Sequence, residues 1–278
     1  MSAAIEVTGL RKSYGAAEVL RGISFSIAEG EVFGLLGPNG AGKTTTVEIL
    51  EGYRSRDAGS VSVLGLDPDR ATSAWRERVG VVLQSSSLYP NLSVRESLAL
   101  FAGYYSAPRP VDDVVEIIGL GEKRDARVRT LSGGQQRRLD LGLALVGDPE
   151  LVFLDEPTTG FDPSARRAAW ETIRGLRSLG KTILLTTHYL DEAAQLADRV
   201  AVLAGGEIVT VGAPAELTSV RPEAQIRYRR AGEEVLITTE EPARVLHDLY
   251  EAEGEPEGLE VRRATLEEIY LELTEGEE

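Results

Sequence analysis

The sequence predicts an α/β protein, built on a mostly parallel sheet with flanking helices. An N-terminal antiparallel β subdomain, an inserted helical subdomain and a small C-terminal α+β domain complete the expected architecture. Three observations lead there. Apolar runs at residues 32–36, 151–154 and 182–185 read as strands buried on both faces, and they alternate with helical patterns. The first run passes directly into a glycine-rich turn and a helix start. The charge balance changes near residues 215–225, which divides an expected domain over 1–215 from one over 216–278.

The bulk numbers set limits. At 278 residues and 42% hydrophobic content, the chain suits one large soluble domain with an appendage. The net charge of −15 argues against a protein that grips nucleic acid by its phosphates. Residues 221–278 hold 17 acidic and 7 basic side chains, so most of that charge lies in the tail. Without cysteine there are no disulfides and no Cys-ligated zinc. No run reaches the roughly 18–20 apolar residues that span a bilayer, and the N-terminus has no signal-peptide pattern. A cytoplasmic protein is expected.

Residues 5–27 alternate with period two (Ile5/Val7, then Ile23/Phe25/Ile27), as antiparallel strands with one wet face do. Tyr14 falls in a polar turn, where it could stack on a base or be an ordinary half-exposed tyrosine. Residues 61–64 and 79–83 read as further strands. A helix is predicted over 93–105, with Ser93 and Glu96 as a capping box, and another over 112–120, closed by Gly121. The region of about 85–146 is therefore helical. A helix over 165–179 separates the strands at 151–154 and 182–185, and Gly205-Gly206 signals a hairpin between Val200–Leu203 and Ile208–Val211.

The chemistry centres on Gly37-Pro38-Asn39-Gly40-Ala41-Gly42-Lys43-Thr44, which fits the phosphate-loop pattern. The glycines let backbone N–H groups close around phosphate oxygens at a helix N-terminus. Lys43 would reach the β- and γ-phosphates, and the Thr44 hydroxyl would ligate Mg²⁺. A nucleoside triphosphate is the expected ligand. Asp155 and Glu156 follow an apolar strand directly, where two like charges are costly unless a cation is held. Asp155 would hold the metal, and Glu156 would orient and deprotonate the attacking water. Gln84 and His188 also follow strands, at the sheet end where ligands bind, and His188 would contact the γ-phosphate.

Ser132 and Gln135 form a capping box at a helix start, and Gly133 and Gly134 between them also make a second anion site. Two phosphate-binding elements and a single strand–loop–Lys motif predict a two-fold dimer. In it, Ser132, Gly133 and Gly134 of one chain cap the nucleotide of the other.

This set resembles the nucleotide-binding subunit of ABC transporters, over nearly all of residues 5–215. In that resemblance Tyr14 is the adenine-stacking aromatic, and residues 37–45, Thr45 included, are Walker A. Gln84 is the Q-loop and a metal contact, residues 131–135 are the signature, and residues 151–156 are Walker B. Residues 159–162 are the D-loop, with Asp162 crossing the dimer interface, and His188 is the switch histidine. Phe161 stands where the family usually has leucine. The resemblance implies a P-loop NTPase core of the ABC ATPase type, with ATP and Mg²⁺ as cofactors. It also implies a homodimer or pseudo-symmetric dimer, no nucleic-acid partner, and a separate integral-membrane permease that keeps the chain on the cytoplasmic face.

The tail is patterned too. Residues 225–229 and 235–239 alternate like strands, and Val245, Leu246 and Leu249 give a helix an apolar face. Residues 254–258 read as a mobile loop, and Thr265 with Glu268 caps a last helix bearing Leu266, Ile269, Tyr270 and Leu273. Residues 263–274 are similar to the close of ATPase subunits from drug- and antibiotic-resistance exporters of the daunorubicin type. That implies export of a drug, antibiotic, lipid or polysaccharide. The alternative is a soluble ABC-type ATPase acting on ribosomes or DNA.

Overall fold

The computed structural model describes residues 2–83, 88–219, 224–230, 233–254 and 256–263. It divides into two compact units, Met1–Val211 and Gly212–Glu278.

In the first unit, strands β1 (Ala3–Tyr14) and β2 (Ala17–Ala28) form a long hairpin, followed by β3 (Val32–Leu36), helix α1 (Lys43–Leu50) and β4 (Ala58–Val63). A short helix α2 (Ser73–Glu77) leads into β5 (Val79–Val82). Three helices come next, α3 (Val94–Ala102), α4 (Val111–Ile117) and α5 (Gly133–Leu145). Alternation then resumes with β6 (Leu151–Asp155), α6 (Pro163–Ser178), β7 (Thr182–Thr187), α7 (Leu190–Leu196), β8 (Arg199–Ala204) and β9 (Glu207–Gly212).

The strands make two sheets. The antiparallel one has order β2-β1-β4, and the six-stranded one has order β5-β6-β7-β3-β8-β9, parallel where β5, β6, β7, β3 and β8 pair. The fold is the predicted one. Its apolar runs alternate between two cores. Phe33, Leu35, Phe153 and Leu184 pack with Val47, Leu50 and Trp75 on one side. Val32, Val152, Leu154, Ile183 and Leu185 pack with Leu98, Val114, Leu139 and Ile173 on the other. Burial on both faces is why these strands lack polar alternation.

The position of β4 was not readable locally: residues 61–63 pair with residues 5–7 of β1, not with the main sheet. Trp75, inside the short α2, is 2% exposed and donates its indole N–H to the Val63 carbonyl at 2.8 Å. The Ser93/Glu96 capping box forms with both reciprocal bonds, at 3.1 and 2.7 Å. Tyr14 is the last residue of β1 rather than part of a turn, because the strand runs on to the tight connection at Gly15 and Ala16. Gly80 lets α5 approach the sheet, since a Cβ there would sit 2.6 Å from the Ala144 carbonyl oxygen.

The second unit holds α8 (Pro214–Ser219), β10 (Ala224–Arg230), β11 (Glu233–Thr239), α9 (Pro242–Glu253) and β12 (Glu257–Arg263). Its antiparallel sheet has order β11-β10-β12 and packs Ile226 and Tyr228 against Leu249 of α9. Strand β12 takes up Glu257 and Gly258, so the predicted loop over 254–258 is shorter than expected. The helix predicted from Thr265 lies outside the described residues.

Candidate functional site

A cleft of about 700 Å³ opens where β3, β6 and β7 end, lined by Tyr14, Asn39, Gly40, Lys43, Glu156 and His188 among others. The sheet order explains the convergence. Strand β7 lies between β3 and β6, so the ends of three parallel strands deliver the phosphate loop, the carboxylate pair and His188 to one edge.

The loop is shaped by its glycines. Gly40 and Gly42 hold φ of 85° and 107°, a region only glycine enters freely, and Gly42 is the N-cap of α1. Lys43 donates to the carbonyls of Gly37 at 2.8 Å and Pro38 at 3.1 Å, and its ammonium lies 3.6 Å from Glu156 Oε1. Burial lowers the Lys43 pKa from its ordinary value, and the Glu156 carboxylate works against that shift. Thr44, Thr45 and Gly42 also line the cleft. Ala41 points the other way, into the core, and its N–H donates to the Pro38 carbonyl at 3.2 Å. Tyr14 stands at the rim, 40% exposed, with its hydroxyl 3.4 Å from Thr45 Oγ1 and the Arg54 guanidinium 5.1 Å from its ring centre.

Asp155 and Glu156 are both buried but differently engaged. Asp155 accepts from Thr44 Oγ1 at 3.3 Å through Oδ2 and from Thr186 Oγ1 through Oδ1. Hydroxyl and carboxylate oxygens side by side are the hard donors Mg²⁺ takes, with phosphate oxygens and water completing its shell. The pair therefore fits the expected metal. Glu156 has φ of 45°, a left-handed conformation that costs a non-glycine residue roughly 1–3 kcal/mol and is found at functional sites. Its N–H donates to Thr186 O at 3.2 Å and Oγ1 at 3.0 Å. Its carboxylate meets His188 Nδ1 at 3.3 Å and accepts from Thr159 Oγ1 at 3.1 Å. Burial alone would raise its pKa, but the His188 contact and the Lys43 charge outweigh it, so Glu156 sits below its ordinary value.

Ser132, Gly133, Gly134 and Gln135 do not line this cleft. They head α5 as a complete capping box, Gln135 N to Ser132 Oγ at 3.3 Å and Ser132 N to Gln135 Oε1 at 2.9 Å. Asp162 is exposed and caps α6, its Oδ1 accepting from the N–H groups of Ser164 and Ala165 at 2.8 Å each. The sequence reading missed that local role, although Asp162 directly before a proline is a common helix start. Gln84 lies outside the described residues. Thr186 was also missed. Its only signal was a polar residue closing an apolar strand.

Glu51, at the C-terminus of α1, has its pKa raised to about 8 by burial, with the charges of Asp155 and Glu48 adding to it. A raised carboxyl pKa makes the folded state bind a proton the unfolded state has lost, so stability falls as pH rises from about 4.5 to 8. Thermal melts of Glu51→Gln and the wild-type chain are expected to agree below about pH 5. Above pH 8 the variant should melt higher, and a variant that melts lower there would contradict the shift.

The model of the ABC transporter family matches residues 20–159. Nod factor export ATP-binding protein I of Paraburkholderia xenovorans is 48% identical over 220 residues, covering 77% of this chain and 72% of that protein. The protein of the same name from Rhizobium sp. strain N33 is 40% identical over 297 aligned residues, covering 98% and 97%. The solved ATP-binding subunit of an ABC transporter superposes with a TM-score of 0.71 at 25% identity, over 97% of this chain and 99% of that one. An ATP-binding cassette of an ABC transporter in its ADP conformation shares the fold, with a TM-score of 0.69 at 24% identity, over 78% and 93%. With a matching family model, relatives aligned over most of their length and a cleft built from these elements, the chain belongs to the ABC transporter family, as an ATP-binding and ATP-hydrolysing subunit.

Proposed function

We propose that this chain powers an ABC exporter. Two copies close over two Mg-ATP, and a separate integral-membrane permease carries the cargo. In this reading Lys43 and the loop residues 37–45 hold the phosphates, Thr44, Asp155 and Gln84 hold Mg²⁺, and Tyr14 stacks on the adenine. Glu156 acts as the base, and His188 orients it and senses the γ-phosphate. Ser132, Gly133, Gly134, Gln135 and Asp162 come from the partner copy.

One observation carries the dimer. The cleft is lined by the phosphate-loop residues, Thr44, Glu156 and His188, whereas Ser132, Gly133, Gly134 and Gln135 at the head of α5 are not among its lining residues. A second copy related by a two-fold axis supplies each cleft with the missing cap. Among the described residues no helix is long and apolar enough to cross a membrane; in this reading the permease is a separate chain and this one sits on its cytoplasmic face. The relatives' names support export over action on ribosomes or DNA, and the net charge of −15 agrees. The cargo we propose is a drug, antibiotic, lipid or polysaccharide, the drug subtype resting on the daunorubicin-type resemblance of residues 263–274. We take residues 1–215, with a helical subdomain at about 85–146, as the ATPase domain and residues 216–278 as its accessory.

Purifying the tagged chain from its native membranes tests this. A stoichiometric polytopic membrane protein is the expected companion. Recovery with ribosomes or DNA-bound factors, or alone in the soluble fraction, would leave the ATPase and remove the exporter.

A further inference from the structure

Arg137 lies on α5, two residues beyond Gln135, with a side chain only 12% exposed. Its guanidinium reaches across to the main sheet. Nη2 donates to the Asp155 carbonyl at 3.2 Å, Nε donates to the Pro157 carbonyl at 3.2 Å, and Nη1 donates to the Leu83 carbonyl. The first two carbonyls belong to the residues on either side of Glu156. The third belongs to the residue before Gln84. The side chain forms one wall of a small, mostly apolar pocket together with Val82, Leu141, Leu154, Ala169 and Ile173, a setting in which charge-assisted bonds are stronger than in water. Asp140, three residues along α5, lies 3.9 Å away and partly balances the charge.

Glu156 needs such support. Its φ of 45° is disfavoured for a residue with a Cβ, and such a conformation persists only where the surroundings over-determine it. Thr186 holds the Glu156 N–H from the β7 side, and Arg137 holds the flanking carbonyls from the α5 side. The guanidinium spreads its donors over three nitrogens, each on a different carbonyl, whereas the compact ammonium of lysine is a single point and cannot span all three.

We propose that Arg137 is a positioning residue that clamps Glu156 in its left-handed backbone conformation and ties that conformation to the placement of α5. The inference deepens, and rests on, the reading of Glu156 as the base. Because α5 begins at the Ser132 cap, any displacement of that cap is passed through one rigid helix and one guanidinium to the residue facing Lys43 and His188. The base is thereby aligned only when the helix that meets the partner's nucleotide is in place.

The test uses the full chain with Arg137→Met and Arg137→Lys. In Arg137→Met, kcat for ATP hydrolysis is expected to fall at least tenfold while KM and the ATP Kd stay within about twofold. Arg137→Lys should recover part of that loss. A crystal structure of Arg137→Met should show Glu156 relaxed to negative φ. Unchanged kcat, or Glu156 still near 45° without the guanidinium, overturns the clamp. So does a parallel loss of kcat, ATP affinity and thermal midpoint with lysine no better than methionine, because that is the signature of a merely structural arginine. If the methionine variant does not fold, Arg137→Lys is judged by the same kcat and φ. Failure of the base reading is distinguishable, since Glu156→Gln would then retain turnover, and the backbone conformation still decides the clamp.

Discussion

Glu156→Gln is expected to lower ATP turnover by about 10²–10⁴-fold, the range for a positioned general base, while ATP binding stays near wild type. The amide keeps the shape of the side chain and its acceptor toward Thr159, which donates at 3.1 Å. What it loses is the negative charge that faces Lys43 at 3.6 Å and His188 at 3.3 Å, and with it the ability to take a proton from water. With hydrolysis stopped and Mg-ATP still bound, the closed dimer should accumulate and be visible by analytical ultracentrifugation. Fully active, monomeric Glu156→Gln would remove both the base assignment and the composite site.

Lys43→Ala is expected to act one step earlier, on binding itself. The Lys43 ammonium is buried at the head of α1 and held by two loop carbonyls, and Lys43 lines the cleft. A charge-assisted hydrogen bond is worth about 1.5–3 kcal/mol, so titration calorimetry should show ATP binding weakened roughly 10- to 100-fold. Unchanged affinity would remove the phosphate-loop reading. Together the two variants separate holding the nucleotide from cleaving it.

Much of the site was legible because its parts are contiguous. A strand, a glycine turn and Lys43 lie within a dozen residues, so the loop that presents backbone N–H groups is written in consecutive positions. The capping boxes at Ser93 and Ser132 were legible for the same reason, since donor and acceptor lie three residues apart. Asp162 shows the opposite case. Its family role drew attention to a partner chain, while its own side chain caps α6.

The sequence by itself determined the element types, the two-sided burial of the parallel strands and the identity of the residues able to bind phosphate and metal. Those properties follow from periodicity, backbone preference and side-chain chemistry, which act over a few residues. Only the tertiary structure decided which of them meet. It placed β7 between β3 and β6, sent β4 to the edge of β1, and added β12 to the sheet of the second unit. It set Thr186 beneath the Glu156 N–H, thirty residues away in sequence, and brought Arg137 to Pro157 and Leu83, twenty and fifty-four residues distant. It also left the Ser132 element out of the lining of its own chain's cleft. Such contacts form only once both cores are packed, because the entropy of closing each long loop is repaid by the whole sheet rather than by the pair that touches.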